Sequence, residues 1–290
     1  MIAEIFQDNR IEFNEQTFPE VEARKIALFY DAINWTHPEL SADGRSHCFE
    51  DYMYSLSYFD QIISISEASK NDLLSFWREL SIEPSNVDAV LLGCDVSAYK
   101  GSQQNTKGSK LSVLYVSTLE PRKNHLSLLN ACEALWREGA EFQLTLIGRR
   151  IEGSGRETYK LIESLIKKGR DIYWRETVTE DDLIRAYGTT TFTVYASKVE
   201  GFGLPILESL SAGVPCICND HGAISEVAMM DGAKGCLMID TSDVSILKDG
   251  IGKLLRDDQE RLRLTHEARN RHFRSWEEYG EAFISATQIT

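Results

Sequence analysis

Between residues 111 and 240, short apolar runs alternate with stretches whose apolar residues return at helical spacing. The runs at 111–117, 142–147, 172–174 and 191–195 have strand character. Between them, 126–137 predicts a helix with Leu126, Leu129, Ala134 and Leu135 near one face. A second helix over 157–168 repeats the period through Leu161, Ile162, Leu165 and Ile166, and 181–187 predicts a third. Strict alternation of this kind predicts a doubly wound parallel sheet with helices on both faces. Ligands of such sheets bind beyond the carboxyl ends of the strands, which directs attention to the loops after 111–117 and 191–195.

The first hundred residues predict a smaller α/β unit. Strands are expected at 26–30, 61–65 and 87–92 and helices at 49–59 and 67–80, with Ser66 as the cap of the latter. Residues 100–110 are polar and rich in glycine and serine, so they read as a linker. The expected organisation is an N-terminal domain over 1–100, a linker over 101–110, a ligand-binding domain over 111–273 and a C-terminal helix over 274–290 that crosses back to the N-terminal domain.

Composition narrows the chemistry. With 290 residues, 42% hydrophobic and 26% charged, the chain has room for two ordinary domains with cores. A formal charge of −14 argues against nucleic acid as a partner. The first residues lack a basic n-region and an apolar h-region, and no apolar run reaches bilayer length, so a cytoplasmic location is expected. A basic patch at Lys167, Lys168 and Arg170 leaves open contact at the inner membrane face, against the simpler reading of a solvated helix end. The six cysteines, at 48, 94, 132, 216, 218 and 236, form no C-x2-C pair, and buried free thiols are expected rather than metal ligands. No P-loop, nucleophile elbow or zinc-binding His-Glu-x-x-His is present.

The stretch Glu200-Gly201-Phe202-Gly203-Leu204-Pro205-Ile206-Leu207-Glu208 carries the strongest signal. It leaves a strand, passes two glycines that allow close approach to a ligand, and enters a helix with Pro205 expected at the first helical position. Free N–H groups at that helix start, with the dipole behind them, suit an anion. Carboxylates at 200 and 208 suit vicinal hydroxyls. A strand-to-helix turn with a capping carboxylate is the plain alternative, and two bracketing carboxylates weigh against it.

This segment resembles the E-x7-E signature of glycosyltransferase family 4, retaining enzymes with the GT-B fold. The surroundings fit: 113–124 (Val-Leu-Tyr-Val-Ser-Thr-Leu-Glu-Pro-Arg-Lys-Asn) resembles the first strand and loop of that family's donor domain in its mannosyltransferase branch. Residues 144–148, 178–187, 212–216 and 222–227 follow in the family's order, and resemblance is strong over roughly 110–275. In the N-terminal half, 63–73 and Gly93-Cys94-Asp95 are similar to shorter family segments.

The resemblance implies two Rossmann-like domains facing a cleft, the N-terminal one here reduced. It assigns Glu200 to the donor sugar and Glu208 to the ribose diol, with Gly201, Phe202, Gly203 and Leu204 lining the donor site. Lys123 and Arg122 would meet the departing diphosphate, with a solvated basic pair as the alternative. Thr118 stands where relatives place an arginine, and Arg122 is available to substitute for it. Arg149 is a further nucleotide-side candidate, equally readable as an exposed residue. Glu200 and Lys123 are the expected catalytic residues, with no metal and no cofactor beyond the nucleotide-sugar donor. His37 reads as a loop residue near a strand end, since Tyr30-Asp31-Ala32 occupies the place of a His-Asp pair in relatives; His221 and Glu226 suit capping as well as ligand contact.

The implied activity is transfer of a hexose, mannose from GDP-mannose, to a glycan or lipid-linked glycan in surface polysaccharide synthesis. A UDP-hexose transferase is the alternative within that class. A non-catalytic nucleotide-sugar-binding subunit completed by a partner is the alternative outside it, and both homo- and hetero-association stay open. The short N-terminal domain is compatible with a natural minimal protein, a fragment or a subunit.

Overall fold

The computed structural model describes residues 16–17, 20–40, 46–100, 110–151 and 153–288. The chain divides into two units, one formed by Met1–Gly93, Glu200–Phe202 and Arg274–Thr290, the other by Cys94–Val199 and Gly203–Phe273. Most of the linker expected over 101–110 lies outside the described residues.

The first unit holds a parallel sheet of order β1-β2-β3, with β1 at Ile26–Phe29, β2 at Gln61–Ser64 and β3 at Asn86–Ala89. Each strand is shorter than its apolar run. After β1, Asp31 Oδ1 accepts the Ile33 backbone N–H at 3.1 Å and opens the one-turn helix α1, Ile33–Thr36, so the chain turns where the hydropathy still reads as strand. Helix α2, Ser46–Ser55, runs into a 3-10 turn at Leu56–Tyr58, and α3 spans Glu67–Glu79. Ser66 caps α3 as expected, its hydroxyl accepting from the Ser69 N–H at 3.1 Å. Phe29, Met53, Ile62, Leu73 and Trp77 form the core on this side, and Trp77 Nε1 is satisfied by the Met53 carbonyl at 2.8 Å.

Beyond α1–α3 in the chain, seven further helices among the described residues belong to the second unit, and the last helix returns to the first. Those of the second unit are α4 (His125–Arg137), α5 (Arg156–Lys167), α6 (Glu180–Thr189), α7 (Leu204–Ser211), α8 (Gly222–Met229) and α9 (Val244–Arg256), followed by α10 (Asp258–Arg269). The last, α11 (Trp276–Thr287), starts with a capping box between Ser275 and Glu278 and packs Tyr279, Ala282, Phe283 and Ala286 on Ile26, Ile63 and Val90. Gln61, fully buried in β2, joins this helix to the sheet: its Nε2 donates to the Ala286 carbonyl at 2.9 Å and to Asp88 Oδ2 at 2.6 Å, while its Oε1 accepts from Arg24. A buried amide is tolerated here because its polar atoms are matched. At Gly93 an added Cβ would lie 2.5 Å from the Ser275 carbonyl oxygen, so only glycine admits the α11 start.

The second unit is a six-stranded sheet of order β6-β5-β4-β7-β8-β9, every pair parallel. The strands are Ser112–Val116, Gln143–Ile147, Ile172–Arg175, Phe192–Tyr195, Cys216–Asn219 and Cys236–Ile239 for β4 to β9. Chain order reverses between β4 and β7, which places the loops after these neighbours at the switch point. Helix α4 buries His125, Leu128, Leu129, Cys132, Leu135 and Trp136, with Leu126 and Ala134 only half-buried. Leu129 and Leu135 are thus buried as predicted, and packing along α9 as well as within the sheet unit widens the buried face beyond the predicted one. In α5, Ile162 and Leu165 are buried as predicted, but Ile166 is 45% exposed. Cys94, Cys132, Cys216, Cys218 and Cys236 are buried free thiols; the side chain of Cys48 lies outside the described residues.

Candidate active site

The loop after β4 begins with a close approach of backbones. Gly148, ending β5, has φ +148, and a Cβ there would fall 1.8 Å from the Ser117 carbonyl oxygen. Glycine is therefore required for β5 to finish beside Ser117 and Thr118. Leu119 then pairs with the strand beyond Gly148, its N–H donating to the Arg149 carbonyl at 2.8 Å. Arg149 contributes backbone to this bridge, and its side chain is exposed.

Next come the candidate cations. Pro121–Lys123 forms a 3-10 turn, so Arg122 and Lys123 precede the helix rather than opening it. Glu120 Oε1 accepts from Thr118 Oγ1 at 2.6 Å and from Arg122 Nη2 at 3.1 Å. The threonine that stands in place of an arginine is thus joined to Arg122 through one carboxylate. Lys123 is buried, with Nζ 5.8 Å from the centroid of the Tyr195 ring. Beneath it, the Tyr115 hydroxyl donates to the Lys123 carbonyl and approaches Ser197 Oγ at 3.5 Å.

His125, the first residue of α4, packs against Tyr115 with ring centroids 4.7 Å apart, and its Nε2 lies 3.2 Å from Ser117 Oγ. Burial, and then the charge of Lys123, pushes its pKa down to about 3, so the ring is neutral at physiological pH. Its Nδ1 is buried without a hydrogen-bond partner among the described residues.

Three further contacts join the loops at the carboxyl edge of the sheet. The Lys198 N–H donates to the Arg122 carbonyl at 2.8 Å, Asn219 Nδ2 donates to the Ser197 carbonyl at 3.2 Å, and Asn124 Nδ2 donates to the Thr241 carbonyl at 2.9 Å. Asn124, Ser197, Asn219 and Thr241 are all buried; Asn124 closes the 113–124 stretch that carried the resemblance, but none of the four was expected as a site residue. An asparagine just before a helix was the one available signal; nothing local distinguishes Thr241.

Glu208 lies on α7, whose N-cap is Gly203. Leu204 is the first helical residue, so Pro205 occupies the second position, still within the turn whose N–H groups lack intrahelical partners. Leu204 is 47% exposed at this helix start. Tyr187, at the end of α6, donates its hydroxyl to Glu208 Oε2 at 2.7 Å; Tyr99 meets Tyr187 edge-on at 5.4 Å and also hydrogen-bonds the carboxylate. Burial raises the Glu208 pKa and the two tyrosine hydroxyls oppose it. Burial and the nearby carboxylate push Tyr99 up to about 12.

The signature itself is divided between the units. Glu200, Gly201 and Phe202 group with the first unit, and Gly203 onward with the second. In the first unit a Cβ on Gly201 would stand 3.0 Å from Asp31 Oδ2 and 3.1 Å from the Tyr30 carbonyl oxygen. Glu200 is half-buried and Phe202 buried. Thus Thr118, Arg122 and Lys123 share one loop joined to the residues after β7, Glu208 follows on the next helix, and Arg149 stands apart as an exposed side chain. His37 Nδ1 lies 2.8 Å from Thr36 Oγ1, a local contact that suits its reading as a loop residue, whereas His221 stands at the N-cap position of α8 but its ring meets Asn219 and Asp220 and makes no capping hydrogen bond. Among the described residues no cluster of three or more His, Cys, Asp or Glu side chains could hold a metal ion. A groove of about 640 Å³ crosses β4–β6, lined by Ser112, Thr145, Tyr173 and Arg175 among others, and contains none of the residues discussed above as candidates.

Residues 97–271 match the sequence profile of the glycosyl transferases group 1 family. The chain belongs to that family. O-antigen chain mannosyltransferase B of Escherichia coli is 30% identical over 281 residues, covering 92% of this chain and 70% of that protein. The serotype-specific mannosyltransferase WbdA of Escherichia coli is 27% identical over 219 residues, 69% of this chain, and the chain spans only 26% of WbdA. Among solved structures, sucrose-phosphate synthase from Thermosynechococcus elongatus superposes with a TM-score of 0.75 at 17% identity, covering 96% of this chain and 70% of that one. HepE of Anabaena, solved with UDP and glucose, gives a TM-score of 0.73 at 14% identity over 91% of this chain and 71% of its own. These likenesses show the GT-B fold. For this group 1 glycosyltransferase domain, no helix among the described residues is long and apolar enough to cross a membrane.

Proposed function

We propose that the chain is a retaining family 4 glycosyltransferase that moves mannose from GDP-mannose to a glycan or lipid-linked glycan during surface polysaccharide synthesis. The observation that carries this reading is the joining of the Thr118–Lys123 loop to the residues after β7 by the Lys198–Arg122 backbone bond, in the loop that leads into the helix of Glu208. The mannosyl donor is supported by the names of the relatives, two E. coli mannosyltransferases, one of them an O-antigen chain enzyme.

In this reading Lys123 and Arg122 stabilise the charge that grows on the diphosphate as the bond from the sugar C1 to the phosphate oxygen breaks. The acceptor hydroxyl oxygen bonds to C1 on the same face, and its proton passes to the departing phosphate. Glu208, oriented by Tyr187, accepts hydrogen bonds from the ribose diol. Glu200 orients the donor sugar. Such fixed donors act best when they are in place before the substrate arrives.

The test is a thermal-shift titration with GDP, GDP-mannose, UDP and UDP-hexoses, followed by a transfer assay, since a ligand of the native state raises stability by mass action. Selective stabilisation by GDP and GDP-mannose, together with transfer that Glu200→Gln severely reduces in a folded protein, is the expected result. Selective response to UDP compounds moves the donor assignment, and full turnover by Glu200→Gln removes its role. Nucleotide binding with transfer only after a companion chain is added would favour a partner-dependent subunit.

A further inference from the structure

Asn124 is held in a way that its neighbours are not. It has φ 56 and ψ 33, in the left-handed region, and is buried between the turn carrying Arg122 and Lys123 and the first residue of α4. Its N–H donates to the Pro121 carbonyl at 3.1 Å, closing that turn. Its side-chain Nδ2 donates to the Thr241 carbonyl at 2.9 Å, across 117 residues of chain. Thr241 is itself fully buried and donates its hydroxyl to the Ala196 carbonyl at 3.3 Å, just beyond β7. One residue therefore both reverses the backbone after Lys123 and fastens the reversal to the loops after β7 and β9.

We propose that Asn124 is the positioning residue for Lys123, and that its bond to Thr241 sets the lysine ammonium where a diphosphate is met. The inference rests on the role given to Lys123 above. Asparagine satisfies two demands at once: it tolerates the left-handed conformation better than most residues, and it supplies an N–H donor to a buried carbonyl. Aspartate keeps the shape and much of the backbone tolerance, but sets a carboxylate oxygen against the Thr241 carbonyl. Glycine keeps the backbone and removes the link. Alanine would confound the two effects.

Binding of GDP and of GMP, measured by calorimetry, separates the diphosphate contribution from that of the nucleoside. For Lys123→Ala, GDP affinity should fall about ten-fold while GMP affinity changes by less than about two-fold, and Asn124→Asp and Asn124→Gly should reproduce this loss of preference. Adding Asn124→Asp to Lys123→Ala should cost less than about a further two-fold, since residues acting through one another are not additive. A general loosening of the fold would weaken both nucleotides alike. Wild-type GDP preference in both Asn124 variants, beside a weakened Lys123→Ala, overturns the inference and leaves the site reading standing; so do independent, multiplying losses in the double variant. Unchanged GDP binding by Lys123→Ala, or no binding of either nucleotide by the parent chain, overturns the site reading and this inference with it.

Discussion

The hydroxyl of Tyr187 donates to Oε2 of Glu208 at 2.7 Å, so the carboxylate expected to meet a ribose is already oriented by a fully buried ring. Burial raises the pKa of Glu208, which means that its ionised form is carried at a cost in the native state. Between its unfolded and folded pKa values the native state binds more protons than the unfolded one, so this group's contribution to stability falls as pH rises through that window. Glu208→Gln, which stays neutral and can still accept from Tyr187, is expected to melt above the parent at pH 7.5, with the difference shrinking toward pH 4. The same variant should bind nucleotide more weakly. Melting curves across pH with and without GDP test both; a variant less stable than the parent at pH 7.5 would refute the first.

At His125 the sign is opposite. Its pKa is pushed down to about 3, so as pH falls below the ordinary histidine range the unfolded chain takes up a proton that the native chain refuses. Stability present at neutral pH is thereby lost on acidification, by about 3 kcal/mol between pH 7 and pH 4 for a shift of this size. His125→Gln should flatten that slope in urea denaturation. An unchanged slope would show that the ring is solvated or protonated in the native state.

Two glycines give a matched comparison. Gly148 and Gly139 both have positive φ, but a Cβ at Gly148 would meet the Ser117 carbonyl oxygen at 1.8 Å whereas one at Gly139 meets nothing within 4 Å. Gly139→Ala should cost about 1 kcal/mol, the conformational penalty alone. For Gly148→Ala the loss should exceed about 3 kcal/mol, because backbone must move apart at the start of the candidate loop. Equal losses in chemical denaturation would contradict this contrast, and GDP binding should survive only the first.

The parallel sheet was legible because each strand and helix carries its own period. Segments such as 142–147 and 191–195 needed no knowledge of their neighbours, and the structure shifts their ends by a residue at most. Element faces were less legible: Leu126 and Ile166 have the right spacing, but which helix or solvent they meet is a property of the assembled unit. The charged loop at Arg122 and Lys123 was readable from residue type and position after a strand. Its supports were not. Asn124 is matched by a backbone carbonyl that any residue at 241 would supply, and Tyr187 reaches Glu208 from another helix. Pro205 was misplaced by one because Gly203 takes the cap, leaving Leu204 as the first helical residue.

The bond from Gln61 to the Ala286 carbonyl spans 225 residues and has a consequence for synthesis on the ribosome. When β1, β2 and β3 have emerged, the apolar side formed by Ile26, Ile63 and Val90 still lacks Phe283 and Tyr279. That side stays uncovered, and the amide of Gln61 lacks one of its acceptors, while nearly two hundred further residues are made. The second unit lies almost entirely within that interval and can complete its sheet first. Between these two units the order of folding thus runs against the order of translation, and the one made earlier is the one finished later.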